Sequence, residues 1–124
     1  MIERKKKRTA KIATFAVAHE VYFKQFEGLY ENLLKYHEDF IKLLKANDVD
    51  VVDYGIVGNS EKAYETADKI NGDGVDVIMC NMITYATSSV FAPIIRNCNI
   101  PMVLVALQPL SKLDYSKAST FMQL

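Results

Sequence analysis

The chain has 124 residues, half of them hydrophobic, and a formal net charge of zero. A chain of this length buries about two thirds of the surface that it exposes when unfolded, which is enough for one independent core. The sequence holds neither the 18 or more apolar residues of a membrane span nor a signal-peptide hydrophobic region after its basic start. We therefore expect one domain that has no membrane partner.

Residues 1–10 form a basic leader. Five of the 15 Lys and Arg residues lie at positions 4–8, and the chain after position 8 keeps ten basic and 14 acidic residues. An acidic body with a short basic leader does not resemble a nucleic-acid-binding surface, on which Lys and Arg alternate with exposed aromatic residues. We interpret the leader as a solvated charge run, with localisation or polyanion binding as the alternative. No nucleic-acid partner is expected.

The hydrophobic pattern predicts the element order β-α-β-α-β-α-β. The predicted strands cover residues 11–18, 49–57, 75–80 and 101–106, and the first, third and fourth are hydrophobic almost throughout, as buried parallel strands are. The predicted first helix covers residues 23–46, where apolar residues recur at three- and four-residue spacing. The second helix is predicted to start at a cap on Asn59 or Ser60 and to end around residues 72–74.

The third predicted helix starts at Ser88 or Ser89 and ends at Asn97, with Pro93 tolerated because it falls near the first turn. After the fourth strand, residues 108–124 are predicted to be a loop followed by a short helix around 117–124. The chain ends inside this apolar segment, so we expect a fragment of a longer protein or an end that docks on another domain.

These elements predict a three-layer flavodoxin-like or Rossmann-like α/β domain over residues 11–124, with four parallel strands in the order 2-1-3-4. The right-handed crossover rule favours this order. Asp50 and Asp53 in the second strand are compatible with a place at the sheet edge. The switch point, where an open α/β sheet binds ligands, then falls between strands one and three.

Polar residues follow three of the predicted strands. His19 follows the first strand, Thr84 and Tyr85 follow the third, and Gln108 follows the fourth. Since the carboxyl ends of parallel strands meet at one edge, we expect these four residues to line the same crevice. The alternative is that they are loop residues which only satisfy the backbone. The turn after strand three is rich in hydroxyl groups but has no Gly-x-Gly, which argues against a pyrophosphate ligand.

The usual catalytic signatures are missing from the sequence. His19-Glu20 and His37-Glu38 begin like zinc-protease helices, but Phe23 and Ile41 stand where the second His is needed. There is no nucleophile elbow, phosphate loop or dinucleotide fingerprint, and no phosphoacceptor Asp ends strand three. His37 lies on the apolar stripe of the first helix, so we interpret it as a packed structural histidine. Cys80 and Cys98 are interpreted as buried thiols of a cytoplasmic protein.

Four segments in this order resemble the N-terminal domain of the L-arabinose and L-fucose isomerase family, and the resemblance covers about residues 11–124. The segments are His19-Glu20-Val21-Tyr22 after strand one, Thr84-Tyr85-Ala86-Thr87-Ser88-Ser89, the run from Ile100 to Pro109, and the closing Phe121-Met122-Gln123-Leu124. The first loop departs from the family pattern, because His19 stands where arabinose isomerases usually have Gln. In this respect the chain also resembles a divergent, isomerase-like branch.

The resemblance implies an aldose–ketose isomerase that uses a divalent ion, typically Mn²⁺, bound with the catalytic acids and histidines in later domains. The domain would cover the sugar site of a neighbouring subunit, and this chain alone would be inactive. Carried over by position, His19 and Tyr22 match the first contact loop, Tyr85 the aromatic residue after the third strand, and Gln123 the polar residue near the chain end. Two alternatives remain, a stand-alone sugar or small-molecule binding module and a non-catalytic oligomerisation domain.

Overall fold

A computed structural model describes residues 8–119. In chain order the elements are β1 (Lys11–Val17), α1 (Val21–Gln25), α2 (Leu29–Lys45), β2 (Asp50–Val57), α3 (Ser60–Asp73), β3 (Val77–Met82), α4 (Ser88–Asn97) and β4 (Met102–Val105). The basic leader up to residue 7 and the chain end from residue 120 lie outside the described residues. The short helix expected around 117–124 therefore falls mostly outside them as well.

The four strands form one parallel sheet in the order β2-β1-β3-β4. The predicted α/β class and strand order are confirmed. Asp50 lies at the exposed start of the edge strand β2, and the register of β1 with β2 shifts between Thr14 and Ala16. On the opposite edge, Val103 and Leu104 of β4 are 46% and 56% exposed. Because neighbouring strand residues point to opposite faces, both faces of the sheet are thinly covered there.

The helices pack on both sides of the sheet, which makes three layers. On one side, Ala16 and Ala18 pack with Leu29 and Leu33 of α2. On the other, alternate residues of β1 and β3 pack with α3 and α4 in the larger core. This alternation is what a parallel strand covered on both faces requires. The members of the larger core include Phe15, Val17, Ala67, Ile70, Ile78, Val90 and Ile94.

The predicted single helix over residues 23–46 is wrong, because the structure has two helices there. Phe26 is extended, with φ −122° and ψ 102°, and Gly28 is left-handed, with φ 78°. A residue with a side chain rarely adopts this φ, so Gly28 allows the chain to turn between α1 and α2. The break gives the short helix α1 its own direction directly after β1, and this positions the residues of the first loop.

Two further boundaries differ from the predictions. The third strand is Val77–Met82 rather than residues 75–80, because its register follows Ile12–Val17 of β1. Asn81 is therefore a strand residue and not part of the turn. Pro93 is the sixth residue of α4 and lies beyond its first turn. The predicted Asn59 cap is confirmed, since its Oδ1 accepts a hydrogen bond from the backbone N–H of Lys62 at 2.8 Å.

Candidate functional site

Three aromatic rings meet at the carboxyl ends of β1 and β3. The His19 and Tyr22 rings are 5.2 Å apart and perpendicular, and the Tyr22 and Tyr85 rings are 6.2 Å apart and tilted. We call His19, Tyr22 and Tyr85 the ring group. Tyr85 is 58% exposed, so one of these rings offers much of its surface to solvent. Such rings combine an apolar face with a polar edge that forms hydrogen bonds.

The loop that carries His19 is fixed to the loop after β2. The backbone N–H of Glu20 donates to the Gly58 carbonyl at 3.2 Å, and the Asn59 side-chain amide donates to the Glu20 carboxylate at 2.8 Å. A Cβ atom on Gly58 would lie 3.0 Å from the Glu20 Cβ, so glycine permits this close approach. These contacts hold the loop after β1 against the loop after β2, and they fix the backbone position next to His19.

Thr84 lies beside Tyr85 in the turn after β3, and its side-chain hydroxyl is buried. Its Oγ1 atom is buried and has no hydrogen-bond partner within residues 8–119. A buried hydroxyl without a partner costs about 1–3 kcal/mol, so a donor or acceptor from outside these residues would stabilise it. Further along the turn, the Thr87 and Ser89 hydroxyls are 2.8 Å apart and bond to each other.

A second polar arrangement is buried between α2 and the sheet. The Nε2 atom of His37 lies 2.8 Å from Oδ1 of Asp53 on β2, and its Nδ1 atom lies 3.2 Å from the side-chain nitrogen of Asn81 on β3. His37 is fully buried and Asn81 is 2% exposed. His37 is thus a packed histidine, as its place on the apolar stripe indicates. We call Asp53, His37 and Asn81 the buried network.

Asp53 is charged within this network. Burial alone would raise its pKa, but the hydrogen bonds from His37 and from the Gly55 backbone N–H, with the charge of Lys45, lower the pKa below its usual value. An ionised carboxylate only accepts hydrogen bonds, so the Nε2 atom of His37 carries the proton between them. In the neutral imidazole the Nδ1 atom is then an acceptor, and it receives a hydrogen bond from the Asn81 amide.

A partly open cavity of about 240 Å³ adjoins the buried network. Tyr36, Asp39, Phe40 and Leu43 of α2 form one wall. The other side is formed by Asn81, by Ile83 and by the segment after β4, including Leu107 and Gln108. Gln108 therefore lines a cavity with the buried Asn81, and none of the ring group is among the lining residues. Of the four residues that we expect to line one crevice, Gln108 lines this cavity.

The structure places the predicted site residues that it describes in two locations. His19, Tyr22 and Tyr85 come together in the ring group, with Thr84 next to Tyr85 in the same turn. Gln108 is exposed and lines the cavity on the α2 side. Gln123 lies outside the described residues, so its predicted role stays a prediction. The prediction overlooked Asp53 and Asn81 as partners of His37, although a histidine on an apolar stripe was a signal that buried partners were needed.

The donor set needed for a divalent ion does not occur within residues 8–119. No group of three or more His, Cys, Asp or Glu side chains converges there. A catalytic Mn²⁺ centre requires several carboxylate or imidazole ligands. The family resemblance places this ion in later domains, and we derive no catalytic step through it. In the same part of the chain, no helix combines the length and the apolar composition needed to cross a membrane.

Comparison of the chain with protein-family models and with curated proteins found no match.

Proposed function

We propose that this chain is the substrate-covering and oligomer-forming domain of an aldose–ketose isomerase of the L-arabinose and L-fucose type. The observation that carries the proposal is the ring group at the ends of β1 and β3, with the half-exposed ring of Tyr85. A sugar presents flat C–H surfaces and hydroxyl groups. An aromatic ring covers the first, and imidazole or phenol atoms bond to the second.

The chemistry of the ring group suits recognition rather than catalysis. Proton or hydride transfer between C1 and C2 of a sugar needs a positioned acid–base pair or a metal ion. His19 stands beside the Tyr22 ring, and no hydrogen bond or ion pair joins it to a carboxylate within residues 8–119. In this proposal the ion and the catalytic residues come from other domains or subunits, and the ring group closes over the sugar. We place the protein in the cytoplasm, which suits its free thiols Cys80 and Cys98.

The unpartnered hydroxyl of Thr84 supports the same site. A sugar hydroxyl both donates and accepts hydrogen bonds, so it suits a threonine whose Oγ1 has no partner within the described residues. The polar turn after β3 also leads into α4, which begins at Ser88, so backbone N–H groups of its first turn lie close by. A ligand rich in oxygen atoms matches this end of the sheet better than an apolar one does.

The test is a titration of the purified chain with L-arabinose and with L-fucose, followed by backbone and side-chain NMR. The proposal expects weak, saturable shifts at His19, Tyr22 and Tyr85, and no ketose in the presence of Mn²⁺. Sedimentation in the same buffers reports whether subunits associate. Association with no shift in the ring group at any sugar concentration would favour the oligomerisation alternative and contradict a sugar-covering role.

A further inference from the structure

The buried network fixes the orientation of the Asn81 amide. The Nε2–H of His37 donates to the Asp53 carboxylate, so the Nδ1 atom of the neutral ring accepts from the Asn81 nitrogen. The other terminal atom of the amide, Oδ1, takes no part in this network, and no hydrogen bond within residues 8–119 uses it. Asn81 is 2% exposed and lines the cavity beside α2.

We propose that this cavity is a ligand site in which Oδ1 of Asn81 accepts a hydrogen bond from a small one-ring compound that carries a hydroxyl group. The site is separate from the ring group and does not depend on the sugar-covering function. Asp53 and His37 are positioning residues, because they determine which atom of the amide is free.

Size and lining determine the ligand class. The cavity volume is about 240 Å³, and an engineered apolar cavity of about 150 Å³ already admits benzene. Phe40, Leu43, Ile83 and Leu107 offer apolar contacts for a ring. The Asp39 carboxylate, which also lines the cavity, lies 3.8 Å from the Lys42 ammonium, so the ligand need not supply a positive charge. A neutral hydroxyl suits the amide oxygen and loses less hydration than an ammonium group would.

The experiment compares two one-ring probes, phenol and anisole, by NMR titration of the whole chain. Phenol has the hydroxyl donor, and in anisole a methyl ether replaces it. We expect phenol to shift the signals of Asn81, Ile83 and Leu107, and to bind on the order of tenfold more tightly than anisole. Asn81→Ser should remove this preference. Asn71→Ser on α3 should keep it, because the Asn71 side-chain amide donates to the Asn97 carbonyl of α4 and does not line the cavity.

Asp53→Ala tests the positioning role separately. Without its acceptor, His37 is free to change tautomer, so the amide loses its fixed orientation. The ratio of phenol to anisole affinity should then fall toward one, a readout that a loss of stability alone would not change. Equal binding of the two probes to the unaltered chain, or shifts confined to other surfaces, would overturn the proposal even if the variants fail to fold.

Discussion

His37 of α2 and Asp53 of β2 are joined by a 2.8 Å hydrogen bond between Nε2 and Oδ1, although the histidine is fully buried and the Asp53 side chain is 41% exposed. The bond links the helix layer to the edge strand of the sheet. Asp53 also accepts the Gly55 backbone N–H at 2.8 Å, next to the left-handed Gly55. One carboxylate therefore accepts hydrogen bonds from a buried imidazole and from the backbone N–H of Gly55 in the edge strand.

Removal of this carboxylate should destabilise the fold. Asp53→Ala leaves a buried imidazole N–H without its acceptor, which costs about 1–3 kcal/mol. The measurement is the free energy of unfolding from urea titrations. Asp50→Ala is the control, because Asp50 lies on the same strand and none of its side-chain atoms forms a hydrogen bond within the described residues. Equal losses from the two variants would contradict the role of the buried network.

The same carboxylate should give a defined pH dependence. The pKa of Asp53 is lowered in the folded chain from 3.8, so the folded state favours the charged form. Its stabilising contribution is complete well above that value and is lost as the pH falls through the lowered folded pKa. The difference in the free energy of unfolding between the unaltered chain and Asp53→Ala should therefore become smaller as the pH is lowered. A difference that widens toward low pH would contradict this assignment.

The architecture was predictable from the sequence because hydrophobic runs and helix caps can be recognised within a few consecutive residues. The continuous apolar run of β1 requires cover on both faces, and Asn59 caps α3 with a bond to Lys62. The break at Gly28 was not predicted, because the apolar stripe continues on both sides of it. A single left-handed residue redirects the chain without changing the hydrophobic pattern.

The conformation of Gly28 yields a paired test. Gly28→Ala meets no steric contact within 4 Å, but its φ of 78° should cost about 1–2 kcal/mol in backbone strain. Gly72→Ala in α3 is equally free of contacts and has an ordinary helical φ, so it should stabilise the chain by about 0.5–1 kcal/mol. Thermal unfolding of both variants measures the difference. A neutral Gly28→Ala would show that α1 and α2 join in another way.

Both thiols should be inert in the folded chain. Burial raises the pKa of Cys80 to about 12, and burial with the nearby Asp68 charge raises the pKa of Cys98. Because the thiolate is the reactive form, Ellman's reagent at mildly alkaline pH should react slowly until guanidinium chloride unfolds the chain. Rapid reaction of either thiol under native conditions would indicate that its packing against the larger core is wrong.

The candidate site was only partly predictable. Short stretches of sequence indicate where strands end, but they do not indicate which side chains meet across the layers of the fold. Sheet topology brings the segments after β1 and β3 together, and the rings of His19, Tyr22 and Tyr85 do meet there. Gln108 was assigned to the same crevice by topology alone. Because β3 continues to Met82, Asn81 is a strand residue whose side chain points away from the Cys80 side and toward His37 of α2, and the cavity there includes Gln108. The residue at which β3 ends depends on its pairing with β1, which is a contact between residues far apart in the sequence.

The central claim is that the ring group contacts a sugar, and a matched pair of tyrosine variants tests it most directly. Tyr85 and Tyr64 are 58% and 56% exposed, but Tyr64 lies on α3 and has no ring contact with the ring group within residues 8–119. We expect Tyr85→Ala to weaken L-fucose or L-arabinose binding on the order of tenfold in an NMR titration, and Tyr64→Ala to leave it unchanged. Equal affinities for the unaltered chain and both variants would contradict sugar recognition at the ends of β1 and β3.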